Sequence, residues 1–353
     1  MKTFLLKNRK IVIPVLIALL CVILFAATVL RYLSLASMLR SQQAAEAFKG
    51  ESESLTAQVS AFFPMGGGIS FESVYSFRNT LDGKYVEASI EKPEVGSLYK
   101  DGYSAKGSIS VTGNKATASC TVYGVGGDYF YFHPLWLRDG SYISESDLAH
   151  DCVILDEELA WRLFGGFDLE GMDVRIDDRP FRIVGVVRRE DDFATKSAYS
   201  DGAVMYMHYD TLNEMQESKI TTYELVGADP IDGFLKNIVA EGFSDASVVE
   251  NSARFSPLRE FDVLSRYFTR TMVTEPVVYP YWENAARNVE SRLALLLIPA
   301  VVLPIYPIVL AIYWAVRGIK AGINALKTAI PDALDKISER RYERKLRKKA
   351  KNG

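Results

Sequence analysis

The amino-acid sequence predicts a membrane protein of the α+β class, in which two transmembrane helices flank a mixed α+β extracytoplasmic domain. Three observations lead to this prediction. Two long apolar runs without any charged residue lie near the two ends of the chain. The 353 residues carry a net charge of only −3, but both ends are basic and the part between them is acidic. Short strand-like and helix-like segments alternate in that acidic part, which is typical of a mixed α+β domain.

The first apolar run covers residues 11–30. Twenty helical residues extend about 30 Å, which is the thickness of the hydrocarbon core of a bilayer. A cleaved signal peptide is the alternative, because Ser34-Leu35-Ala36 offers small residues at a suitable spacing. The apolar part of a signal peptide is usually only about 7–15 residues long. We therefore predict an N-terminal segment over residues 1–10 and an uncleaved transmembrane helix over residues 11–31.

The second apolar run covers residues 293–316 and contains Pro299, Pro304 and Pro307. Prolines break helices in water but are tolerated in membrane helices, where neighbouring groups satisfy the freed carbonyls. A buried helix of a soluble protein rarely continues for this length without a polar face. The sequence therefore predicts a second transmembrane helix over residues 291–317.

The distribution of charge predicts the orientation of the chain. The first 31 residues contain five basic residues and no acidic one, and residues 317–353 contain 12 basic and four acidic residues. The residues between these ends carry a net charge of −16. Because basic segments stay on the cytoplasmic side, both termini are expected in the cytoplasm and residues 32–290 outside it.

The segment after the first span has a composition that favours helix. Residues 32–63 contain good helix formers and no proline, which predicts that the first helix continues beyond the membrane. Helical spacing of apolar residues predicts another helix over residues 71–81, closed by Asp82-Gly83. Alternating apolar residues predict a strand over residues 85–90.

The clearest local signals lie after residue 150. Val153-Ile154-Leu155 predicts a buried strand, and Asp156 is expected to cap a helix over residues 157–164. Gly165-Gly166 is expected to end that helix by adopting a left-handed conformation. The turn Asp177-Asp178-Arg179-Pro180 lies between two strand-like segments, and this arrangement predicts a β-hairpin.

The chain contains three cysteines, and two of them raise the question of a disulfide. Cys21 lies in the first apolar run and is expected to be a packing residue. Cys120 and Cys152 fall in the extracytoplasmic part, where an oxidising compartment would allow them to pair. Two strand cysteines are as easily small buried hydrophobic residues. The sequence leaves both interpretations open.

Residues 318–353 form a basic amphipathic tail, which is expected in the cytoplasm. Apolar residues recur there every three or four positions, as in one helical stripe: Ile319, Ile323, Leu326, Ile330, Leu334 and Ile337. Pro331 is expected to kink this helix or to start a second one. The basic residues Arg340, Arg341, Arg344 and Lys345 follow. The tail could lie on anionic lipid, determine topology only, or dock a cytoplasmic partner.

The sequence contains no recognisable catalytic, cofactor-binding or metal-binding constellation. The three histidines, His133, His150 and His208, are scattered, and none has a partner at metal-ligand spacing. No Walker motif occurs, which excludes hydrolysis of ATP by that route. Neither a cofactor nor a nucleic-acid partner is predicted, and an extracytoplasmic enzyme is the least favoured function.

Three stretches of the chain carry a family resemblance. They are VYGVGGDYF (residues 122–130), LRDGSYISESDL (137–148) and CVILDEELAWRLFGGFDLEGMDVRIDDRPFRIVGVVRRED (152–191). They resemble the periplasmic core domain of MacB-type ABC transporter permeases, which belong to the wider MacB/FtsX-like group. The matching positions are Gly124-Val125, Tyr129-Phe130, Gly140, Asp147, Leu155, Glu158-Leu159-Ala160, Leu163-Phe164-Gly165, Gly171 and Val184-Gly185-Val186. These residues build strand–helix–hairpin geometry and carry no reaction.

The resemblance implies a location in the bacterial cytoplasmic membrane. In that family the ectodomain lies between the first and second membrane helices, and cytoplasmic ATPase subunits drive helix movements that reach it as mechanical work. The family continues with two further membrane helices, so this chain resembles a truncated two-span form. Its basic tail occupies the place of the cytoplasmic coupling helix that touches the ATPase.

The resemblance therefore predicts a non-catalytic membrane subunit or accessory of a MacB/FtsX-like ABC transporter-type complex. Its ectodomain would bind a substrate or partner, or transmit ATPase-driven motion. The expected partners are an ABC ATPase subunit, a larger permease, membrane lipid and a second copy of the chain, since lone membrane helices rich in proline usually need helix neighbours. The alternative is a two-span surface sensor, scaffold or adhesin that reuses the ectodomain fold without transport.

Overall fold

One mixed sheet forms the centre of the extracytoplasmic part. A computed structural model describes residues 9–50, 55–90, 96–144, 147, 149–269, 277 and 279–349, without the side chains of 328–329, 332–333, 335 and 342–349. The chain divides into a membrane unit (Met1–Arg31 and Leu296–Gly353) and an extracytoplasmic unit (Tyr32–Leu295). In the described residues the sheet has ten strands, with the order β10-β1-β9-β2-β3-β8-β5-β7-β4, and β6 pairs with β2 and β7.

Two parallel strand pairs make the sheet mixed. β3 pairs with β8, and β5 with β7, in parallel, whereas the other described pairs are antiparallel. The strands are β1 (Thr56–Phe62), β2 (Tyr99–Thr112), β3 (Thr117–Gly127), β4 (Trp136–Gly140), β5 (Cys152–Asp156), β6 (Asp173–Ile176), β7 (Arg179–Arg188), β8 (Val204–His208), β9 (Thr222–Ala228) and β10 (Ser247–Glu250).

The helices cover the sheet or belong to the membrane unit. They are α1 (Arg9–Ala36), α2 (Ala44–Lys49), α3 (Phe71–Glu87), α4 (Tyr129–Phe132), α5 (Glu157–Phe164), α6 (Phe193–Ala198), α7 (Tyr209–Gln216), α8 (Phe234–Gly242), α9 (Pro257–Ser265), α10 (Tyr281–Val302) and α11 (Ile305–Lys349), with a 3-10 turn at Arg40–Gln42.

The two faces of the sheet carry different cores because successive strand residues point to opposite faces. On one face, residues such as Val122 and Val153 pack with helices α3, α5, α7 and α8. On the other face, their neighbours Tyr123 and Ile154 belong to a smaller aromatic cluster that includes Trp282 of α10. The first turn of α10 is therefore part of the second core.

The local signals after residue 150 are confirmed. The Asp156 carboxylate accepts a hydrogen bond from the Leu159 amide at 2.7 Å, and thus caps α5. Gly165 ends α5 with φ of 73°, in the left-handed region. Asp177 and Asp178, with φ of 45° and 66°, form the two-residue turn between β6 and β7.

The expected continuous helix over residues 32–63 is wrong. Helix α1 ends at Ala36, and Thr56–Phe62 is strand β1, paired on both sides with β9 and β10. Six of its seven residues are buried, so β1 lacks the polar-apolar alternation that marks a half-exposed strand. Pairing with distant strands, rather than the helix propensity of its residues, decides its conformation.

The expected strand over residues 85–90 is also wrong. Helix α3 continues through Asp82-Gly83 to Glu87, because Tyr85 follows the buried Leu81 by four residues and extends the same apolar face. An exposed glycine costs a helix only about 1 kcal/mol relative to alanine. Burial of the Tyr85 ring outweighs that cost.

Two helical segments of the described chain are long and apolar enough to cross a membrane, Arg9–Ala36 and Tyr281–Lys327. The second is interrupted at Leu303-Pro304, where α10 ends and α11 begins. Helix α11 then continues through Pro331 to Lys349, so Pro331 does not start a separate helix.

Candidate functional site

A buried cluster of charged side chains is centred on Arg254. The Arg254 guanidinium donates two hydrogen bonds to the Glu283 carboxylate, at 2.7 and 2.8 Å, and one to Glu290 Oε1 at 2.6 Å. The exposed fractions are only 4% for Arg254, 1% for Glu283 and 7% for Glu290. The fork of the guanidinium matches the two carboxylate oxygens of Glu283, which makes this contact strong and directional.

The cluster joins three segments that are distant in sequence. Arg254 lies after β10, at the edge of the sheet. Glu283 and Glu290 lie seven residues apart on α10, which places them on one face two turns apart. The Arg254 guanidinium also donates to Gln42 Oε1 at 3.2 Å, in the 3-10 turn that follows α1. Arg254 thus connects the segment after the first apolar helix with the helix that leads into the second.

Opposite charges balance in this cluster. Burial by itself lowers the pKa of Arg254, but the Glu283 and Glu290 carboxylates and their hydrogen bonds outweigh burial and raise it above the usual range. Arg287 Nε donates a further bond to Glu283 Oε1 at 2.8 Å. Among the described residues, two arginines thus balance two glutamates, and such pairing is the condition under which buried charges are tolerated.

A chain of polar side chains extends the cluster through the sheet. Arg254 donates to Asn251 Oδ1 at 3.3 Å, and Asn251 Nδ2 donates to Ser60 Oγ on β1 at 2.7 Å. The Ser60 hydroxyl in turn donates to Glu224 Oε1 on β9 at 3.0 Å. The other oxygen of Glu224 forms a hydrogen bond with His133 Nε2. All five side chains are buried.

The far end of this chain returns to α10. The His133 ring lies 4.4 Å from the Trp282 ring, measured between centroids. Trp282 is the neighbour of Glu283. The first turn of α10 therefore contacts Arg254 at one end of the polar chain and His133 at the other. A displacement of α10 would have to break buried hydrogen bonds or carry strands β1 and β9 with it.

The C-terminal end of α1 contacts Phe255, the residue that follows Arg254. The Tyr32 hydroxyl donates to the Phe255 carbonyl oxygen at 2.6 Å. Leu35 and Leu39 each have an exposed fraction of 3%. Residues 254–255 therefore contact both segments that connect the extracytoplasmic unit to the predicted spans.

A second titratable pair lies elsewhere in the unit. The rings of His150 and His208 stack with centroids 4.3 Å apart. His208 Nε2 is buried and has no hydrogen-bond partner in the described part of the chain. Burial, followed by the charge of His150, lowers the pKa of His208, whereas Asp147, Asp210 and the neighbouring Asp151 act in the opposite direction. Within the described residues, no three metal-binding side chains are grouped here or elsewhere.

The lowered pKa predicts a pH dependence of stability. In the unfolded chain His208 binds a proton near pH 6.5, whereas in the folded chain its pKa is lower. Protonation therefore favours the unfolded chain, so the free energy of unfolding is highest above pH 6.5 and decreases as the pH falls below it. Thermal unfolding midpoints at pH 7.5, 6.5 and 5.5 measure this slope. We expect the midpoint of His208→Gln to depend less on pH. An unchanged slope in that variant would show that other groups cause it.

The two extracytoplasmic cysteines do not form a disulfide in the structure. Cys120 on β3 and Cys152 on β5 are free, buried thiols, and strand β8 lies between their strands. Strands two places apart are separated by about 9–10 Å, whereas the Cα atoms of a disulfide lie about 4.4–6.8 Å apart. Burial raises the pKa of Cys120 to about 12. Both residues therefore pack as small hydrophobic side chains, as in the alternative interpretation.

The predicted tail residues lie on helix α11. Ile319, Ile323, Leu326 and Ile330 are exposed by 47–62%, and Arg340 and Arg341 are exposed as well. The side chains of Arg344 and Lys345 lie outside the described residues, as do residues 1–8 of the predicted N-terminal segment.

Sequence reasoning missed the Arg254 cluster. One signal was present, since Glu283, Arg287 and Glu290 form a charged face on the helix that leads into an apolar run. Such a face is usually solvated, and the sequence does not show that Arg254, 36 residues before Glu290, covers it.

Comparison with known proteins agrees with the resemblance noted in residues 122–191. The family model of the MacB-like periplasmic core domain matches residues 15–255, or 241 of the 353 residues. The chain belongs to this family. It thus has a MacB-like extracytoplasmic domain, and the predicted α+β class with two flanking apolar helices is confirmed.

Several MacB proteins are similar over short segments. The macrolide export ATP-binding/permease protein MacB of Aggregatibacter actinomycetemcomitans is 37% identical over 81 residues, which cover 22% of this chain and 13% of that protein. MacB of Neisseria gonorrhoeae is 30% identical over 91 residues, which cover 25% of this chain and 14% of that protein. This chain thus spans about a seventh of the length of the curated relatives it matches.

Two solved structures are similar to part of this chain. The periplasmic region of MacB from Actinobacillus actinomycetemcomitans gives a TM-score of 0.41 at 18% identity and covers 65% of this chain and 100% of that one. The extracellular domain of the noncanonic ABC-type transporter YknZ gives 0.36 at 16% identity, with 55% and 99% covered.

Proposed function

We propose that this chain is a non-catalytic membrane subunit or accessory of an ABC transporter-type complex, in which the extracytoplasmic domain moves with its membrane helices when a partner ATPase hydrolyses ATP. The observation that carries the proposal is the Arg254 cluster. It fixes the segment after the first span and the helix before the second span to one buried point of the domain. Both termini are cytoplasmic in this proposal, and the basic ends of the chain support that orientation.

A junction that transmits motion must be rigid at the point where the helices meet the domain. Packed interfaces switch between discrete arrangements rather than deforming continuously. Glu283 and Glu290 lie on the same unbroken helix, Tyr281–Val302, as the first residues of the second apolar run. A movement of that helix therefore reaches Arg254, and through Asn251 and Ser60 the sheet, without passing through a flexible linker.

Helix α11 supports contact with a cytoplasmic ATPase. Its 45 residues extend about 67 Å, more than twice the about 30 Å of the hydrocarbon core. A tail that lay flat on lipid would need a bend after the span, and the described backbone is helical from Ile305 to Lys349. The exposed stripe of Ile319, Ile323 and Leu326 is an apolar face of the kind that docks in a groove of a partner protein.

Purification of the tagged full chain in mild detergent tests the partner. We expect an ABC ATPase, identified by mass spectrometry through its Walker motif, in stoichiometric amount. In the variant Ile323→Glu/Leu326→Glu we expect at least a tenfold loss of that ATPase, because two charges interrupt the apolar stripe. Ala321→Glu, on a different face of the same exposed helix, is the matched control and should retain it.

Two results would contradict the proposal. One is a chain that purifies without an ATPase. The other is an equal amount of ATPase with the stripe variant and the control. Either result would favour the two-span sensor, scaffold or adhesin.

A further inference from the structure

Helix α9 exposes large apolar side chains. The exposed fractions of Leu258, Phe261 and Phe268, in α9 and the turn after it, are 88%, 65% and 88%. Leu258 and Phe261 are three residues apart on α9 and therefore lie on one face of it, and Phe268 follows in the turn after the helix. The opposite side of α9 is anchored in the domain, since Glu260 is completely buried. The apolar face is thus a fixed feature of the surface.

Contacts place the start of α9 at the depth where the chain enters and leaves the bilayer. The Tyr32 hydroxyl donates to Phe255 O at 2.6 Å, and Tyr32 is the first residue after the predicted span 11–31. Arg254 Nε donates to Glu290 Oε1 at 2.6 Å, and Glu290 precedes the second apolar run by three residues. Residues next to both exits lie at the level of the lipid headgroups, and α9 begins two residues after Phe255.

The charged side chains in and next to α9 are paired within the chain, so they do not favour a charged partner. Arg259 pairs with Glu250 at 2.8 Å, and Arg266 pairs with Asp262 on the same helix. With these pairs formed, Leu258 and Phe261 remain as large exposed apolar side chains of the helix. A neutral bilayer surface meets that requirement, because an interfacial helix buries its apolar face about 5–10 Å into the boundary of headgroups and acyl chains.

We propose that α9 is a membrane-surface helix, whose Leu258 and Phe261 insert into the extracytoplasmic leaflet of the bilayer. The leaflet covers a face that would otherwise meet water. It also gives the extracytoplasmic domain a third contact with the membrane besides its two connecting helices. This contact requires neither an ATPase nor a transported substrate, and so it does not depend on the proposed function.

Fluorescence quenching by lipid tests the proposal on the full chain. Phe261→Cys, or Leu258→Cys as a second site, is labelled with an environment-sensitive fluorophore in phosphatidylcholine nanodiscs, and the low labelling of the parent chain is subtracted. Lipids that carry a nitroxide near the headgroup should quench the label at least twofold. Val86→Cys is the control, since Val86 is 76% exposed on α3, which packs on the opposite face of the sheet from α10.

Each outcome decides the question. Strong quenching at residues 258 and 261 and none at residue 86 supports insertion. Equal weak quenching at all three positions, with access to aqueous iodide, overturns it. A label that is shielded from iodide but not quenched by the lipid nitroxide also overturns it, because a protein partner or a second copy then covers α9.

Discussion

Replacing Arg254 with alanine is expected to lower the free energy of unfolding of the extracytoplasmic domain by about 3–5 kcal/mol. The variant leaves the Glu283 and Glu290 carboxylates buried, with exposed fractions of 1% and 7%, and removes the three hydrogen bonds that Arg254 donates to them. Urea unfolding followed by tryptophan fluorescence measures the change. Trp282 lies next to Glu283 and reports directly on the first turn of α10.

A surface arginine provides the matched control. Arg175 pairs with Asp178 at 3.7 Å, and the two side chains are 61% and 101% exposed. Such pairs contribute about 0–1 kcal/mol, so Arg175→Ala should change stability little. The triple variant Arg254→Met/Glu283→Gln/Glu290→Gln should recover part of the loss, because it removes the unpaired carboxylates. If Arg254→Ala costs no more than Arg175→Ala, the cluster does not hold α10.

Replacing Glu224 with alanine is expected to lower the free energy of unfolding by about 2–4 kcal/mol, because two buried groups lose a partner. Glu224 accepts hydrogen bonds from Ser60 and pairs with His133, and all three residues are at most 4% exposed. A buried polar group that loses its partner costs about 1–3 kcal/mol. Glu224→Gln keeps the shape and one acceptor, so it should cost less. Glu87→Ala serves as a surface control, because the Glu87 side chain is 71% exposed.

A double-mutant cycle tests whether the two sites form one network. Hydrogen bonds through Asn251 and Ser60 connect Arg254 with Glu224. Residues in one hydrogen-bonded network show coupling of about 0.5–3 kcal/mol, whereas independent sites add within about 0.3–0.5 kcal/mol. We expect coupling in the first range. Strict additivity would mean that the polar chain is two separate clusters.

Some elements could be predicted from sequence because their causes are local. Asp156 caps the helix that begins at the next residue by accepting from an amide three residues away, and the Asp177-Asp178 turn needs only two residues with positive φ. The apolar runs are equally local, because their lengths and lack of charge suffice. The MacB-like resemblance extended these signals to the order of strand, helix and hairpin over residues 152–191.

Other elements depend on partners that are remote in sequence. Strand β1 pairs with residues of β9 that lie 160–172 positions later, and such pairing overrides the helix propensity of the segment. The Arg254 cluster joins Gln42, Arg254 and Glu283, with 212 residues between the first two. The heptad spacing of Glu283 and Glu290 was visible, but only burial shows that it is a contact face rather than a solvated one.

Energy transfer between the ectodomain and the bilayer tests the mechanical role most directly. A donor is attached at Val86→Cys, and acceptor lipids are placed in nanodiscs that hold the chain with its co-purified ATPase. We predict that ATP changes the transfer efficiency with Arg254 present and has no effect with Arg254→Lys, which keeps the charge but loses the bidentate bond to Glu283. Two results would contradict the mechanical role: a transfer efficiency that ATP does not change with Arg254 present, or an equal change with Arg254→Lys.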